Sequence, residues 1–501
     1  MRNTIVKLLA LMLALVMVVS MVACGNDSDE VDAEGEQTTV DTSILEDGTK
    51  SAYKDSGLPE RDYNGELFVI RYSTKTTSCK PDTFNPGAAE DLSTNLVTKA
   101  SYSRDQVFQE LTGTVIAYRA LDYNPNGTGD DSDVNNIRIL SGSGDLADVN
   151  MLCTGARAMG TLISENLLLD LSDYDSYIKP TQYWYASGVN AQMGVGGKLF
   201  AVAGYHTTVN YRYIQSIDVN NTILSDLFND ENKIDELYTL VNNKQWTMEK
   251  MFEYGKNYST NDGETDPAKH NYVFIASENS IQGLFHGLGG TVVEKNANDI
   301  PEITIKNKEN VDLLTYLRGK LLDDSSAVYV APGDDAFKAF SSGKALFGQA
   351  AMTNFKDFAE NNIDARLLPL PLNAEGDDYV SNMMPWTTNL VAIPMVSDDP
   401  DMSAYCIEAF MALAYDYIYP EFYETIFKLK YVDSDAEAQM FDIVTSASYI
   451  DLVETYQWQS DNTAVRKILV SKNEEVGSAV EKIHDEVNGY LQEFFKTYKF
   501  G

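Results

Sequence analysis

Positive charge is scarce in this chain of 501 residues: 38 Lys and Arg stand against 75 Asp and Glu, a formal net charge of −37. That sign disfavours a nucleic-acid partner, whose phosphates need a basic surface. Histidine and tryptophan are rare, at four residues each, and His206, His270, His286 and His484 show no metal-ligand spacing. Cysteine is equally sparse. Beyond Cys24 only Cys79, Cys153 and Cys406 remain, an odd number without a Cys-x-x-Cys pair, so a disulfide framework is not what holds the fold. Neither H-E-x-x-H nor G-x-S-x-G nor a phosphate-binding glycine loop occurs, and the usual hydrolase and nucleotide-dependent signatures are therefore missing. No cofactor is expected. Past residue 25 no apolar run approaches the ~20 residues of a membrane span.

What is present begins at the N-terminus. Arg2 and Lys7 precede Leu8 to Val22, a run interrupted only by Ser20, which has the size of a signal-peptide core. The run ends in Met21-Val22-Ala23-Cys24, which resembles the lipobox of bacterial lipoproteins, with Met21 where leucine usually stands. The resemblance implies that residues 1–23 are a signal peptide and that Cys24 is lipidated, each buried CH₂ of the acyl chains adding ~0.8 kcal/mol of membrane affinity. The product would be tethered outside the cytoplasmic membrane. Residues 24–60 read as a disordered acidic tether: ten carboxylates between Gly25 and Asp55 face only Lys50 and Lys54, with almost nothing to bury.

The body behind the tether has about 440 residues, more than one core usually serves, so two lobes are expected. After an Asn-Gly turn, Leu67 to Ile70 predicts a buried first strand, followed by a hydroxyl-rich loop at Ser73 to Ser78. Asn95 to Leu111 has helical spacing and Gly113 to Tyr118 reads as a second strand, the alternation of an α/β lobe with a mainly parallel sheet. Asp122, Asn124, Asn126, Gly127 and Asp133 fit a twelve-residue calcium loop, while Pro125 and Gly129 depart from it, and any strand-to-helix turn contains such residues. No metal is assigned on that pattern.

Farther on, Ser141-Gly142-Ser143-Gly144-Asp145 breaks a helix, Ala147 to Cys153 is a strand, Asn166 to Asp173 is a leucine-rich helix, and Gly196-Gly197-Lys198-Leu199 leads into Tyr205 to Tyr213. Gln245-Trp246-Thr247 places Thr247 to cap a helix. Phe337 to Phe347 reads as helix, Gly-Lys turn and strand; Met383 to Asn389 leads into a strand at Leu390 to Pro394; and Met402 to Tyr415 is an apolar helix. In order and spacing this resembles the bacterial extracellular solute-binding proteins of family 1 type, the sugar-binding lipoproteins of ABC transporters. The resemblance covers about 65–500.

It implies an α/β, two-lobe periplasmic-binding-protein-like (type II) fold with discontinuous lobes and a hinge. Residues 61–203 and 349–395 would form lobe 1, and 204–348 and 396–501 lobe 2. The chain would cross near Val202 to Tyr205, again near Phe347 to Ala351, and a further time after Pro394. A carbohydrate, an oligosaccharide by preference, would lie between the lobes and pass unaltered to permease subunits, the protein acting as a monomer and not as an enzyme.

Sugars offer hydroxyls around apolar C–H faces, so their sites need aromatic planes and fixed hydrogen-bonding groups. Trp386, in a loop before a strand, is the first stacking residue expected, with Trp184 and Tyr185 next; Trp246 and Trp458 read as packing. Polar contacts are expected from Thr74 and Lys75 after the first strand, Thr154 after the strand ending at Cys153, and Tyr205, His206 and Thr207 at the crossing, with Phe285 as a further aromatic edge. Two other readings stand beside this one: a lipid-anchored glycoside hydrolase, which needs two carboxylates ~5–9 Å apart, and a peptide-binding receptor of the same fold.

Overall fold

The computed structural model describes residues 51–73, 96–121, 129–259, 269–322, 327–332, 335–423, 434–471 and 473–498. Its strands, in chain order, are β1 (Leu67–Ser73), β2 (Val115–Leu121), β3 (Met151–Gly155), β4 (Gln215–Asn220), β5 (Tyr272–Ser277), β6 (Val293–Lys295) and β7 (Pro301–Ile303). They continue with β8 (Val328–Ala331), β9 (Ala345–Ala351), β10 (Ala365–Leu368), β11 (Ser381–Met383), β12 (Asn389–Ala392) and β13 (Ser448–Ile450).

Lobe 1 is built on a four-stranded sheet of order β12-β3-β1-β2, in which β1 runs parallel to β2 and β3, and β12 closes the edge antiparallel. Phe68, Val69 and Ile70 are buried to within 1%, as a strand between two parallel neighbours requires. The turn before it works because Asn64 and Gly65 both accept positive φ, 53° and 80°. On this sheet lie the helices Leu96–Thr112 and Pro400–Tyr423, which pack on each other. The second is apolar nearly all round, the pattern of a helix buried on every side.

Lobe 2 is built on a five-stranded sheet of order β10-β4-β9-β5-β8, with β4 antiparallel to both neighbours and β5 parallel to both of its own. Phe274, Ala276 and Phe347 face a core shared with the C-terminal helix Val476–Thr497, while Ile275 and Ala345 face Phe340, Phe355 and Phe358 on the other side. Thr247 caps the helix Met248–Gly255, its hydroxyl accepting the Lys250 N–H at 3.3 Å, as its place after Trp246 predicts.

The chain passes between lobes after Val202, which bridges Val391 of β12, and before Ile214, which bridges Met383 of β11. A return runs from Met383 to Asn389, between β11, which pairs with β13, and β12, in the lobe 1 sheet. The crossing expected at Phe347 to Ala351 is not one. That segment is β9, fully buried in the middle of the lobe 2 sheet, because its apolar residues bury best between two strands. Lobe boundaries shift accordingly. β10, within 349–395, belongs to the lobe 2 sheet, and the helix Pro400–Tyr423, within 396–501, packs on lobe 1; the chain then passes to the helix Asp435–Ser446, which packs on β10.

Two further expectations are corrected. The leucines at Asn166 to Asp173 do not make a helix: Asn166 sits at φ 57°, Leu168 bridges Pro394, and only Leu171–Tyr174 forms a single 3₁₀ turn. The acidic tether does not extend to residue 60. Ser51 caps the short helix Ala52–Ser56, and the buried carboxylate of Asp416 accepts the Ser51 hydroxyl (2.8 Å), the Ala52 N–H (2.7 Å) and the Tyr53 N–H (3.1 Å). Those bonds offset the entropy of ordering a segment that composition alone assigns to solvent. Cys24 and the rest of residues 1–50 lie outside the described residues. No helix among the described residues is long and apolar enough to cross a membrane.

Candidate functional site

The first place where the two lobes meet through side chains is the end of β3. The strand stops at Gly155, and the 3₁₀ turn Ala156–Ala158 turns Arg157 towards lobe 2. There its guanidinium pairs with Glu454 and lies over the ring of Trp386, 5.1 Å from the centroid. Glu454 is held by its own helix, Leu452–Thr455, whose first turn is capped by Asp451: the Asp451 carboxylate accepts the Glu454 N–H at 2.8 Å. The other oxygen of Glu454 accepts from the Gln282 amide at 3.1 Å. One cation, one carboxylate and one half-buried indole face thus converge from three remote segments.

Beneath this contact lies a floor of amides carried by β4 and β9, interior strands of the lobe 2 sheet, and by β11. Gln215, the first residue of β4, donates to the Ser280 carbonyl at 3.1 Å and accepts from Asn382 at 3.2 Å. Gln349 of β9 donates to the same carbonyl at 2.8 Å. A Cβ at Gly283 would stand 1.4 Å from the Gln215 Oε1, so a larger residue there pushes the Gln215 amide out of its bonds. Several buried polar atoms nevertheless find no partner: Arg157 Nε, Gln349 Oε1, Asn382 Oδ1 and the Tyr449 hydroxyl. Tyr449 is paired in register with Asn382 across β11 and β13. Buried groups of this kind are normally satisfied by protein or water, and here four of them gather at the lobe junction. The Arg157 guanidinium is paired with Glu454, and the Asp451 carboxylate lies next to the pair.

The residues expected from sequence fall into three groups. Trp386 is half-buried in the crossing loop, with the Arg157 guanidinium over its ring. Tyr205, His206 and Thr207 lie on the crossing itself. Tyr205 is stacked on Tyr211 with centroids 4.2 Å apart, beside Tyr415 and Tyr419, and His206 and Thr207 are fully buried. His206 Nε2 is 2.8 Å from Asn389 Oδ1, and burial draws the imidazole down to about 4, so it is neutral at physiological pH and pins the hinge to β12. Thr154 is buried, its hydroxyl 3.4 Å from Asp133.

Trp184, Tyr185 and Phe285 are turned inward, contrary to their expected role. Trp184 Nε1 donates to Glu408 at 3.0 Å and the Tyr185 hydroxyl donates to the same carboxylate at 2.6 Å, fixing the loop after Pro180 to the long helix of lobe 1. Burial raises the Glu408 carboxyl, and these bonds hold it back in part. Phe285 is fully buried beneath the Gly290 turn, where a Cβ would strike its ring at 2.2 Å. Thr74, Lys75, Cys79, Asp122, Asn124 and Asn126 lie outside the described residues. Asp133, offered for calcium, is buried and accepts the Ser73 hydroxyl at 2.8 Å, so its oxygens serve the end of β1. Cys153 and Cys406 are buried and are not joined to each other. Trp246 and Trp458 pack in the lobe 2 core, as expected.

Sequence reasoning did not find Arg157, Glu454, Gln215, Gln282, Gln349 or Asn382. Arg157 carries a weak signal, two residues past a strand ending in glycine. Glu454 sits three residues after Asp451, the spacing of a capped helix start. The amides carry none.

No protein-family model matches the chain, and no curated protein matches it in sequence. Solved structures do match. The sugar-binding protein MalE from Xanthomonas citri has a TM-score of 0.57 at 11% identity, over 86% of this chain and 100% of that one. A cyclo/maltodextrin-binding protein complexed with maltotetraose has a TM-score of 0.53 at 12% identity, over 87% of this chain and 98% of that one. UgpB from Mycobacterium tuberculosis, in complex with glycerophosphocholine, has a TM-score of 0.50 at 12% identity, over 79% and 96%. At such identities the likeness is one of fold, and it establishes the α/β, two-lobe type II binding-protein architecture.

Proposed function

We propose that this chain is the substrate-binding lipoprotein of an ABC importer, which captures a carbohydrate between its lobes and delivers it unaltered to permease subunits. The observation that carries the reading is the convergence of Trp386, Arg157, Glu454 and Gln282 at the lobe junction, above a floor of amides with open hydrogen-bonding atoms. An aromatic face beside fixed donors and acceptors is the chemistry a sugar ring calls for. Structures of the same fold carry maltotetraose and glycerophosphocholine. Glu454 is taken up by Arg157 and Gln282, which suits an orienting group better than a hydrolytic acid. The lipobox-like Met21 to Cys24 and the acidic stretch behind it support an anchor on the extracytoplasmic face of the membrane.

Isothermal titration against mono- and oligosaccharides tests the reading. A carbohydrate that binds the wild type should bind Trp386→Ala at least tenfold more weakly, ~1.4 kcal/mol. Unchanged affinity in that variant would place the ligand elsewhere.

A further inference from the structure

Between the helix Ser187–Met193 and the crossing at Val202 the chain makes a narrow finger. Its root is in lobe 1. The Leu171 N–H donates to the Leu199 carbonyl at 2.6 Å, and Val202 bridges Val391 of β12. The Asn190 amide ties the helix to Ala203 through both of its polar atoms, donating to the carbonyl at 3.0 Å and accepting the N–H at 2.6 Å. The tip is a hairpin turn, Val195-Gly196-Gly197-Lys198, which closes because both glycines take positive φ, 59° and 77°.

That tip is seated in lobe 2. Val195 is fully buried within the lobe 2 core. The Lys295 ammonium, from β6, donates to the Ala191 carbonyl at 2.6 Å and to the Gly194 carbonyl at 2.7 Å. Asp299, in the turn between β6 and β7, accepts the Gly196 N–H on its carbonyl (2.8 Å) and the Gly197 N–H on its carboxylate (3.1 Å), and pairs with Lys295 at 2.6 Å. The Tyr498 hydroxyl donates to the Val195 carbonyl and the Tyr456 hydroxyl to the Met193 carbonyl, each at 2.6 Å. Tyr456 also closes the helix Leu452–Thr455, its N–H donating to the Leu452 carbonyl at 2.8 Å. The element that carries Glu454 is thus fastened to the finger two residues farther on.

We infer that the finger is a fastener that presets the candidate site, with Lys295, Tyr456 and Tyr498 as positioning residues that hold lobe 2 against lobe 1 independently of ligand. The inference rests on the carbohydrate reading only for what the preset site binds. Root and tip belong to different lobes, so lobes that part must give up the buried Val195 and the charge-assisted bonds of Lys295 together. A ligand that enters a preset site does not have to bring Arg157 and Glu454 together, and its apparent affinity scales with the fraction of molecules already so arranged.

Double electron–electron resonance on the full chain without ligand tests the fastener, with spin labels at the exposed positions of Tyr102 in lobe 1 and Lys308 in lobe 2. The labels are carried on a ketone-bearing unnatural amino acid, so the native cysteines stay untouched. The wild type should give one distance. Lys295→Met keeps the apolar stem and removes the ammonium, and Tyr498→Phe keeps the ring against Phe494 and removes the hydroxyl. Each should add a longer distance, the double variant most, and a fall of the short-distance population to a tenth should weaken saccharide binding tenfold in calorimetric titration. Variants that stay folded by circular dichroism and keep the wild-type distance overturn the fastener, as does a wild type that already shows the longer distance. A chain that shows these distance changes and binds no saccharide supports the fastener and overturns the carbohydrate reading.

Discussion

Asp218 shows how a lone residue can report on lobe 2. It is 1% exposed in β4, its Oδ1 has no hydrogen-bond partner, and burial alone drives its carboxyl well above the ordinary carboxylate range. The folded state therefore keeps a proton that the unfolded chain gives up near pH ~4, so this group's contribution turns unfavourable as pH rises from there towards its native value, by ~1.4 kcal/mol per unit. Asp218→Asn removes the titration. Its unfolding midpoint should match the wild type near pH 4 and exceed it by a margin that grows towards pH 7, as denaturant titration at several pH values will show. Trp386 was visible in the sequence because proline before it and a strand after it put the indole in a loop. Arg157 was not, since its partner Glu454 is 297 residues away and nothing local predicts the meeting.

The elements that hold the site depend on one close approach. The helix Gln282–Gly287 can present Gln282 to Glu454 only while Gly283 lets the Gln215 amide pass beneath it. Gly283→Ala should displace Gln215, break its bonds to Ser280 and Asn382, and cost ~1–3 kcal/mol in denaturant unfolding together with ligand affinity. Gly489→Ala, in the C-terminal helix with open space around it, is the control and should stabilise by ~0.5–1 kcal/mol. Elements with strong local signals were legible: β1 from its apolar run, the Met248–Gly255 helix from its threonine cap, and β9 from the Gly-Lys turn before it. Those governed by distant partners were not. The leucines around Leu168 look helical by spacing, but their backbone is claimed by Pro394 and the end of β12. β9 looks like a crossing only until β4 and β5 are seen on either side of it.

At the scale of the molecule, the folded body begins earlier than composition implies, at Ser51. The docking of Ser51 to Ser56 on the long lobe 1 helix separates two truncations. A chain starting at Ser51 should match the full chain in stability, whereas one starting at Arg61 leaves the buried Asp416 carboxylate without its three donors and should lose ~2–4 kcal/mol in denaturant unfolding. Fold class was readable because element order survives where residue identity does not; lobe membership was not, because it depends on which sheet edge each returning segment meets. The central claim is capture without chemistry. Equilibrium dialysis of the full chain against a saccharide panel, with the retained ligand analysed by chromatography, tests it most directly. The account predicts a carbohydrate retained in stoichiometric amount and recovered intact; no retention, or recovery of shortened sugar, would contradict it.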